Sequence, residues 1–483
     1  MVLSTNGTST VDKSGNTTHP ASGEWTHQAF VRNTAAYHFK SFVNGVCSLT
    51  WGDSYGTFPI ASTGERLSFG SGNRGFSFPG QIDEVRISRV ARSADWIKAT
   101  SDCVTDDDFA KFDLGVENNW ANYSHKFSVT FGDYEGSETL ANFPVLVKIS
   151  QGSPSGFSYA DCLKPNGGDL RFADADGNLL ASEVDTWNSN GVSLVWVKVP
   201  SLTSSTKITA YYGCDSVPTV DSASVWANGY VGVWHLGDAG NQTQTDSTTN
   251  HLHFLCHNKE VQNVDLAVSD GAVGGAVGFN KKGNGYGGLY LMDAESKLSG
   301  FMDCTIEAWL YPTNNATGTY YFVNETAAEA GPFSLILSGG KTPRMLSQTE
   351  GKSKFDYPGA FDTECSVDNW HHVAFARTGS SGSLGGYLNG ARDITKSTSA
   401  GRLVTSTGQV VLGNRGVTLI TWAADRYINH TYSFRGYIDE VRVSNVVRSG
   451  DWIKATHDTV MEPSFATYSA AKAVTRHTVL IFR

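Results

Sequence analysis

Charge is what this sequence has least of. Asp, Glu, Lys and Arg make up only 17% of its 483 residues, against roughly 25% in ordinary soluble domains, a shortage common in exported β-proteins. The balance is mildly acidic, −10 at pH 7. Nucleic acid and anionic membranes both need concentrated Lys and Arg, so neither is expected as a partner. No run of about 18 apolar residues occurs, which excludes an apolar membrane-spanning helix. The start, Met1 to Thr8, is polar and lacks the charged-then-apolar layout of a signal peptide. Cysteines number seven, with no C-x-x-C pair. An odd count forbids complete pairing within the chain, leaving free structural thiols and one or more disulfides both open. H-E-x-x-H and catalytic Cys-His signatures are missing.

Glycine (51) and aromatics (12%) are plentiful, as suits strands joined by tight turns. The length exceeds one core and predicts two to four domains. Organisation comes from an internal repeat. Residues Gly80–Thr100 recur as Gly436–Thr456, with 16 of 21 positions identical. Upstream, Trp25-Thr-His27-Gln-Ala-Phe30 parallels Trp370-His-His372-Val-Ala-Phe375. Phe42-Val-Asn-Gly45 parallels Tyr387-Leu-Asn-Gly390, each a strand running into a hairpin-type Asn-Gly turn. The second copy has a long front half, about 231–368, whereas only 24 residues precede Trp25 in the first. Half a sandwich leaves open sheet edges and an uncovered apolar face. The expectation is therefore a segment of a longer tandem array, which also accounts for the missing export signal. Strands borrowed from a partner chain are the alternative.

Alternation places Val373 and Phe375 on one strand face and His372, Ala374 and Ala376 on the other. It likewise sets Ile306, Ala308 and Leu310 against Thr305, Glu307 and Trp309. Ser93–Thr100 and Ser449–Thr456 read as short helices with a Ser cap and an Asp in the first turn. Five elements, Glu307-Ala308-Trp309, Trp370–Ala374, Tyr387–Gly390, Val411–Asn414 and Gly436–Ser444, together resemble the laminin-G-like, concanavalin A-type jelly roll. Asn142–Lys148, Asp169–Phe172, Ser193–Pro200 and Ile208–Gly213 resemble a β-sandwich domain of unknown function that often precedes it in bacterial exported proteins. The fold class implied is all-β, as tandem antiparallel sandwiches. The expected domains are half a jelly roll (1–105), a smaller β-sandwich (109–216), a complete jelly roll (217–462) and the stub of a further unit (463–483).

The resemblance implies a secreted or cell-surface protein that recognises glycans or glycoproteins and catalyses nothing. A spacer or stalk of a surface adhesin is one alternative, and an accessory module of a polysaccharide-degrading enzyme is another. It also suggests a structural calcium ion, held by Asp246 in an Asp-rich turn and Asp439 in the closing strand. The competing roles are accepting hydrogen bonds from a neighbouring turn for Asp439 and initiating a turn for Asp246. For sugar stacking the candidates are Trp422 and Tyr427 with Asn429, in an insertion before the closing strand, against simple packing on the sheet. Trp51 and Tyr55 are weaker candidates. Trp25, Trp96, Trp309, Trp370 and Trp452 sit in framework motifs and are expected in cores. A glucanase would need E-x-D-x-x-E on one strand. Glu183-Val-Asp185 imitates its first half, but Asn188 stands where the acid-base Glu belongs. Glu84 with Arg86, and Glu440 with Arg442, are expected as same-face ion pairs.

Overall fold

The computed structural model describes residues 2–4, 10–12, 23–33, 38–52, 69, 78–105, 120–256, 264–268, 270–279, 287–291, 297–313, 319–326, 330–353, 355–406, 409–415 and 433–474. Two compact units are present, Met1–Gly115 and Val116–Arg483.

In the larger unit, the expected jelly roll consists of two antiparallel sheets. One runs Val264–Val268, Ala276–Phe279, Gly436–Ser444, Cys304–Pro312, His371–Thr378, Ser383–Leu388, Ala391–Ser397, and Tyr230–Trp234 also pairs with Gly436–Ser444. The other runs Thr243–Gln244, Phe254–Cys256, Leu289–Leu291, Gln409–Leu412, Thr319–Thr326, Ala330–Ser338, Thr342–Ser347. Alternation decides the inner face. Ile306, Ala308, Leu310, Val373 and Phe375 point between the sheets, onto Phe254, Phe322 and Phe333. The outer face of the first sheet is buried as well. Glu307, Trp309 and His372 have almost no exposure, because a second sandwich and a helix cover them.

That second sandwich has a three-stranded sheet in which the long, Val-rich Val192–Leu202 lies between Leu140–Ser150 and Ser182–Thr186. Its other sheet contains His125–Thr130, Lys207–Tyr212, Arg171–Ala173 and Leu179–Leu180. Residues 463–483, which the repeat spacing assigns to a further unit, contribute here. Thr467–Tyr468 and Lys472–Ala473 pair with His125–Thr130. One hydrophobic core holds Phe127, Phe143, Val145 and Trp196 of this sandwich together with Val233, Trp309 and Trp452 from beyond it. Burying each such aromatic contributes about 1.5–3 kcal/mol, so the two sandwiches are joined by core packing.

Helix α2 (Gly450–Met461) outlasts the predicted Ser449–Thr456 by more than a turn. Ser449 Oγ accepts from Trp452 N at its start. Ile453 packs on Ala374, Ala376 and Tyr387. Asp451 accepts from the backbone N–H groups of Ser137 and Glu138, and Thr459 Oγ1 from that of Leu146. The helix therefore clasps both sandwiches. Its contact with the Asn389-Gly390 hairpin needs glycine: φ is +50° and +77° at these residues, the type I′ pattern. A Cβ on Gly390 would lie 3.2 Å from Lys454 Cα.

The smaller unit repeats this local design. Asn44 and Gly45 have φ of +47° and +74°, and a Cβ on Gly45 would lie 2.9 Å from Lys98 Cα of helix α1 (Ala94–Thr105). Asn44 Oδ1 accepts from His27 N as Asn389 Oδ1 does from His372 N, both at 3.0 Å. The unit holds a pair, Val2–Ser4 with Thr10–Asp12, and a sheet of Gln28–Asn33, His38–Val43 and Val46–Gly52. Gly80–Ser88, the counterpart of the central strand Gly436–Ser444, pairs with no strand among the described residues, and Ile82, Val85 and Ile87 face solvent. This corrects the core assignment of two tryptophans. Trp25 is 63% and Trp96 44% exposed, whereas Trp309 and Trp452 are buried. Trp452 stacks edge-on against Phe143 at 4.8 Å. Trp96 instead lies beneath the Arg92 guanidinium at 4.5 Å, with no aromatic partner among the described residues of its unit.

Candidate functional site

Where the two sandwiches of the larger unit meet, alternation aims charged side chains at one another. Glu183 and Asp185 share a face of Ser182–Thr186 and point at His235, which follows Tyr230–Trp234. Glu440 and Arg442 share a face of Gly436–Ser444 and close the cluster. His235 Nδ1 lies 2.5 Å from Glu440 Oε1 and 3.4 Å from Asp185 Oδ2, and Nε2 lies 3.3 Å from Glu183 Oε2. Glu183 also accepts from Trp226 Nε1 (2.5 Å) and Ser247 Oγ (2.8 Å). Arg442 donates through Nε and Nη2 to Glu440 Oε2, at 3.1 and 2.5 Å. Its guanidinium lies over both Trp196 and Trp226, 4.5 and 4.9 Å from their ring centroids. The expected Glu440–Arg442 pair thus exists, deep in the protein. Its repeat counterpart, Glu84–Arg86, joins at 2.9 Å on the surface.

Charge is tightly balanced in this joint. Burial opposes charge on His235, but the Glu440 and Glu183 carboxylates outweigh it and hold the imidazole well above its ordinary value. Burial pushes Asp185 up to about 6. Glu183 stays below its ordinary value because His235 overcomes burial, and Glu440 because His235 and Arg442 do. These carboxylates are committed to partners and enclosed, so they do not present an acid and a nucleophile across an open groove. All seven cysteines are free, and burial pushes the Cys304 and Cys365 thiols up to about 12.

An open cleft lies at another place on the jelly roll, where Gly436–Ser444 ends. It has a volume of about 470 Å³ and is lined by Tyr230, Val231, Asn250, Lys297, Gly300, Phe301, Met302, Asp303, Arg402 and Asn445. Backbone-directed hydrogen bonds fix its polar groups. Lys297 Nζ donates to Asn250 O (3.2 Å), Arg402 Nη1 to Gly300 O (2.8 Å) and Asn250 Nδ2 to Val231 O (2.9 Å), while Asp303 Oδ1 accepts from Gly379 N (2.9 Å). Each of these side chains keeps further hydrogen-bonding capacity, beside the apolar Phe301 and Met302.

The family model described as the concanavalin A-like lectin/glucanases superfamily, a laminin-G model, matches residues 1–98 and 283–454, more than half the chain. The chain belongs to this superfamily. A model for a domain of unknown function, DUF2341, matches residues 166–249 of the concanavalin A-like chain. Solved structures resemble it at low identity. Domain 4 of AbnA, a GH43 extracellular arabinanase from Geobacillus stearothermophilus, in complex with arabinotriose, is 18% identical, covering 48% of this chain and 98% of that one, with a TM-score of 0.35. The binding domain of Paraclostridial Mosquitocidal Protein 1 is 15% identical, covering 49% and 53%, at 0.36. Trypanosoma rangeli sialidase in complex with sialic acid is 14% identical, covering 60% and 44%, at 0.34. No curated protein matches the chain.

Within this concanavalin A-like sandwich, Asp246 and Asp439 serve separate local networks. Asp246 Oδ1 accepts from Val233 N and Thr248 N, and Oδ2 from Thr248 Oγ1 and Leu252 N. Asp439 accepts from Val273 N and Glu440 N. The two carboxylates share no hydrogen-bond partner. Trp422, Tyr427 and Asn429 lie outside the described residues, as does Tyr55. Asn188 caps its own turn, accepting from Asn190 N, and takes no part in the joint. Sequence reasoning missed His235, Lys297, Asp303 and Arg402. The E-x-D of Glu183 and Asp185 was a usable signal for the joint, since two acids on one face of a strand need a cationic partner when buried.

Proposed function

We propose that the chain is a secreted or surface-displayed glycan-binding protein without catalytic activity, and that a sugar sits in the cleft between Lys297, Asp303 and Arg402. The supporting observation is that cleft. Its volume falls in the range of about 300–1,000 Å³ typical of small-ligand sites, and it sets charged hydrogen-bonding groups of both signs beside Phe301 and Met302. Sugars are recognised by this combination, their hydroxyls read by polar groups and their C–H faces laid on apolar ones. The segment bearing Trp422, Tyr427 and Asn429 is a second candidate binding site in this reading, and calcium a second component.

A glycan-array screen of the whole chain, with calcium and with a chelator, is the test. Binding that Arg402→Ala and Asp303→Asn abolish supports the cleft, and binding that only Trp422→Ala abolishes moves the site to the Trp422 segment. Loss with chelator brings in calcium. No binding by folded protein under either condition defeats the proposal. That outcome favours a rigid spacer, a reading supported by the core that the two sandwiches share.

A further inference from the structure

At the joint between the sandwiches, three side chains from three separate segments each turn one donor atom to a common point. One ligand atom from each of Asp185, His235 and Glu440 lies within 4.8 Å of the other two, and His235 Nδ1 is 3.4 Å from Asp185 Oδ2 and 2.5 Å from Glu440 Oε1. In each, the other polar atom is held from behind. Thr186 Oγ1 donates to Asp185 Oδ1 at 2.7 Å, Glu183 Oε2 lies 3.3 Å from His235 Nε2, and Arg442 grips Glu440 Oε2. A second carboxylate on the far nitrogen of a ligating histidine is the usual outer support of a metal site. Independent of this arrangement, Asp185 Oδ2 is buried and accepts no hydrogen bond, although its side chain is only 3% exposed. His235 Nδ1 stands 3.4 Å from it, an ion-pair contact without a hydrogen bond that leaves the oxygen's lone pairs open to a further cation.

We propose that Asp185, His235 and Glu440 bind one divalent transition-metal ion of the zinc class, which pins the DUF2341-containing sandwich to the concanavalin A-like one. One imidazole nitrogen with two carboxylate oxygens suits zinc and disfavours calcium, which takes oxygen ligands only. Tetrahedral zinc with bonds of about 2.0–2.2 Å sets neighbouring donors about 3.3–3.6 Å apart. The 3.4 Å between Asp185 Oδ2 and His235 Nδ1 already fits. The 2.5 Å contact of His235 with Glu440 opens by about 1 Å as zinc replaces the shared proton. A fourth position is left for water, reached along the edge where His235 and Glu183 are 13% and 16% exposed.

The test uses the whole chain, stripped with a chelator, dialysed against zinc sulfate and then freed of loose metal. Elemental analysis is expected to find one zinc per chain, and thermal unfolding a higher Tm with zinc than without. Asp185→Asn, nearly the same shape, is expected to fold and to lose both the bound zinc and the Tm rise. Folded wild type retaining no zinc overturns the proposal, and so does equal zinc in wild type and Asp185→Asn. If that variant does not fold, cobalt(II) is added to wild type. Visible absorption bands that zinc abolishes support a site of this type, and their absence overturns it. None of these readouts depends on glycan binding, so failure here leaves the cleft untouched.

Discussion

Asp246 is a turn residue with both carboxylate oxygens already engaged. Four donors converge on it from Val233, Thr248 and Leu252. An asparagine in its place keeps one accepting oxygen and turns an NH2 towards N–H and O–H donors. Asp246→Asn is therefore expected to destabilise the larger unit by about 2–3 kcal/mol, the size of buried donors left unsatisfied. Urea unfolding with chelator present measures this. A loss that appears only with calcium would assign the residue to an ion. From sequence, the two roles of Asp246 could not be separated, because an Asp-rich turn precedes either. Glu183 and Asp185 show the same limit. Their spacing was visible, but their partners His235 and Glu440 are 52 and 257 residues away from Glu183 in the chain, and no local pattern carries that pairing.

Elements were legible where the pattern is local. The alternation of Cys304–Pro312 and His371–Thr378 gives the correct inward faces, and both Ser caps start their helices. Legibility ended where tertiary cover decides. Trp96 and Trp452 occupy matching positions, yet only Trp452 is covered. The repeated hairpin supports a prediction at this scale. Gly390 combines a φ of +77° with a helix backbone 3.2 Å from where a Cβ would stand. Gly390→Ala meets backbone strain and a close contact together, and is expected to destabilise by about 2–3 kcal/mol. Chemical denaturation checks it. A change under ~0.5 kcal/mol, the size of a bland surface substitution, would mean that helix α2 moves aside freely.

For the larger unit as a whole, the domain boundary read from sequence near residue 216 is a boundary of chain segments but not of cores. Trp309 belongs to the concanavalin A-like strand Cys304–Pro312, and its side chain is buried with Val145, Trp196 and Phe127 of the other sandwich. Helix α2 and the 467–473 strands cross in the same direction. Two domains tied only by a linker lose stability independently, whereas domains sharing a core lose it together. Trp309→Ala removes a large buried side chain, at about 3–5 kcal/mol. If the core is common, amide exchange should accelerate by a similar factor in Val192–Leu202 and in Gly436–Ser444. Acceleration confined to Gly436–Ser444 and its neighbours would show two domains in contact, each with stability of its own.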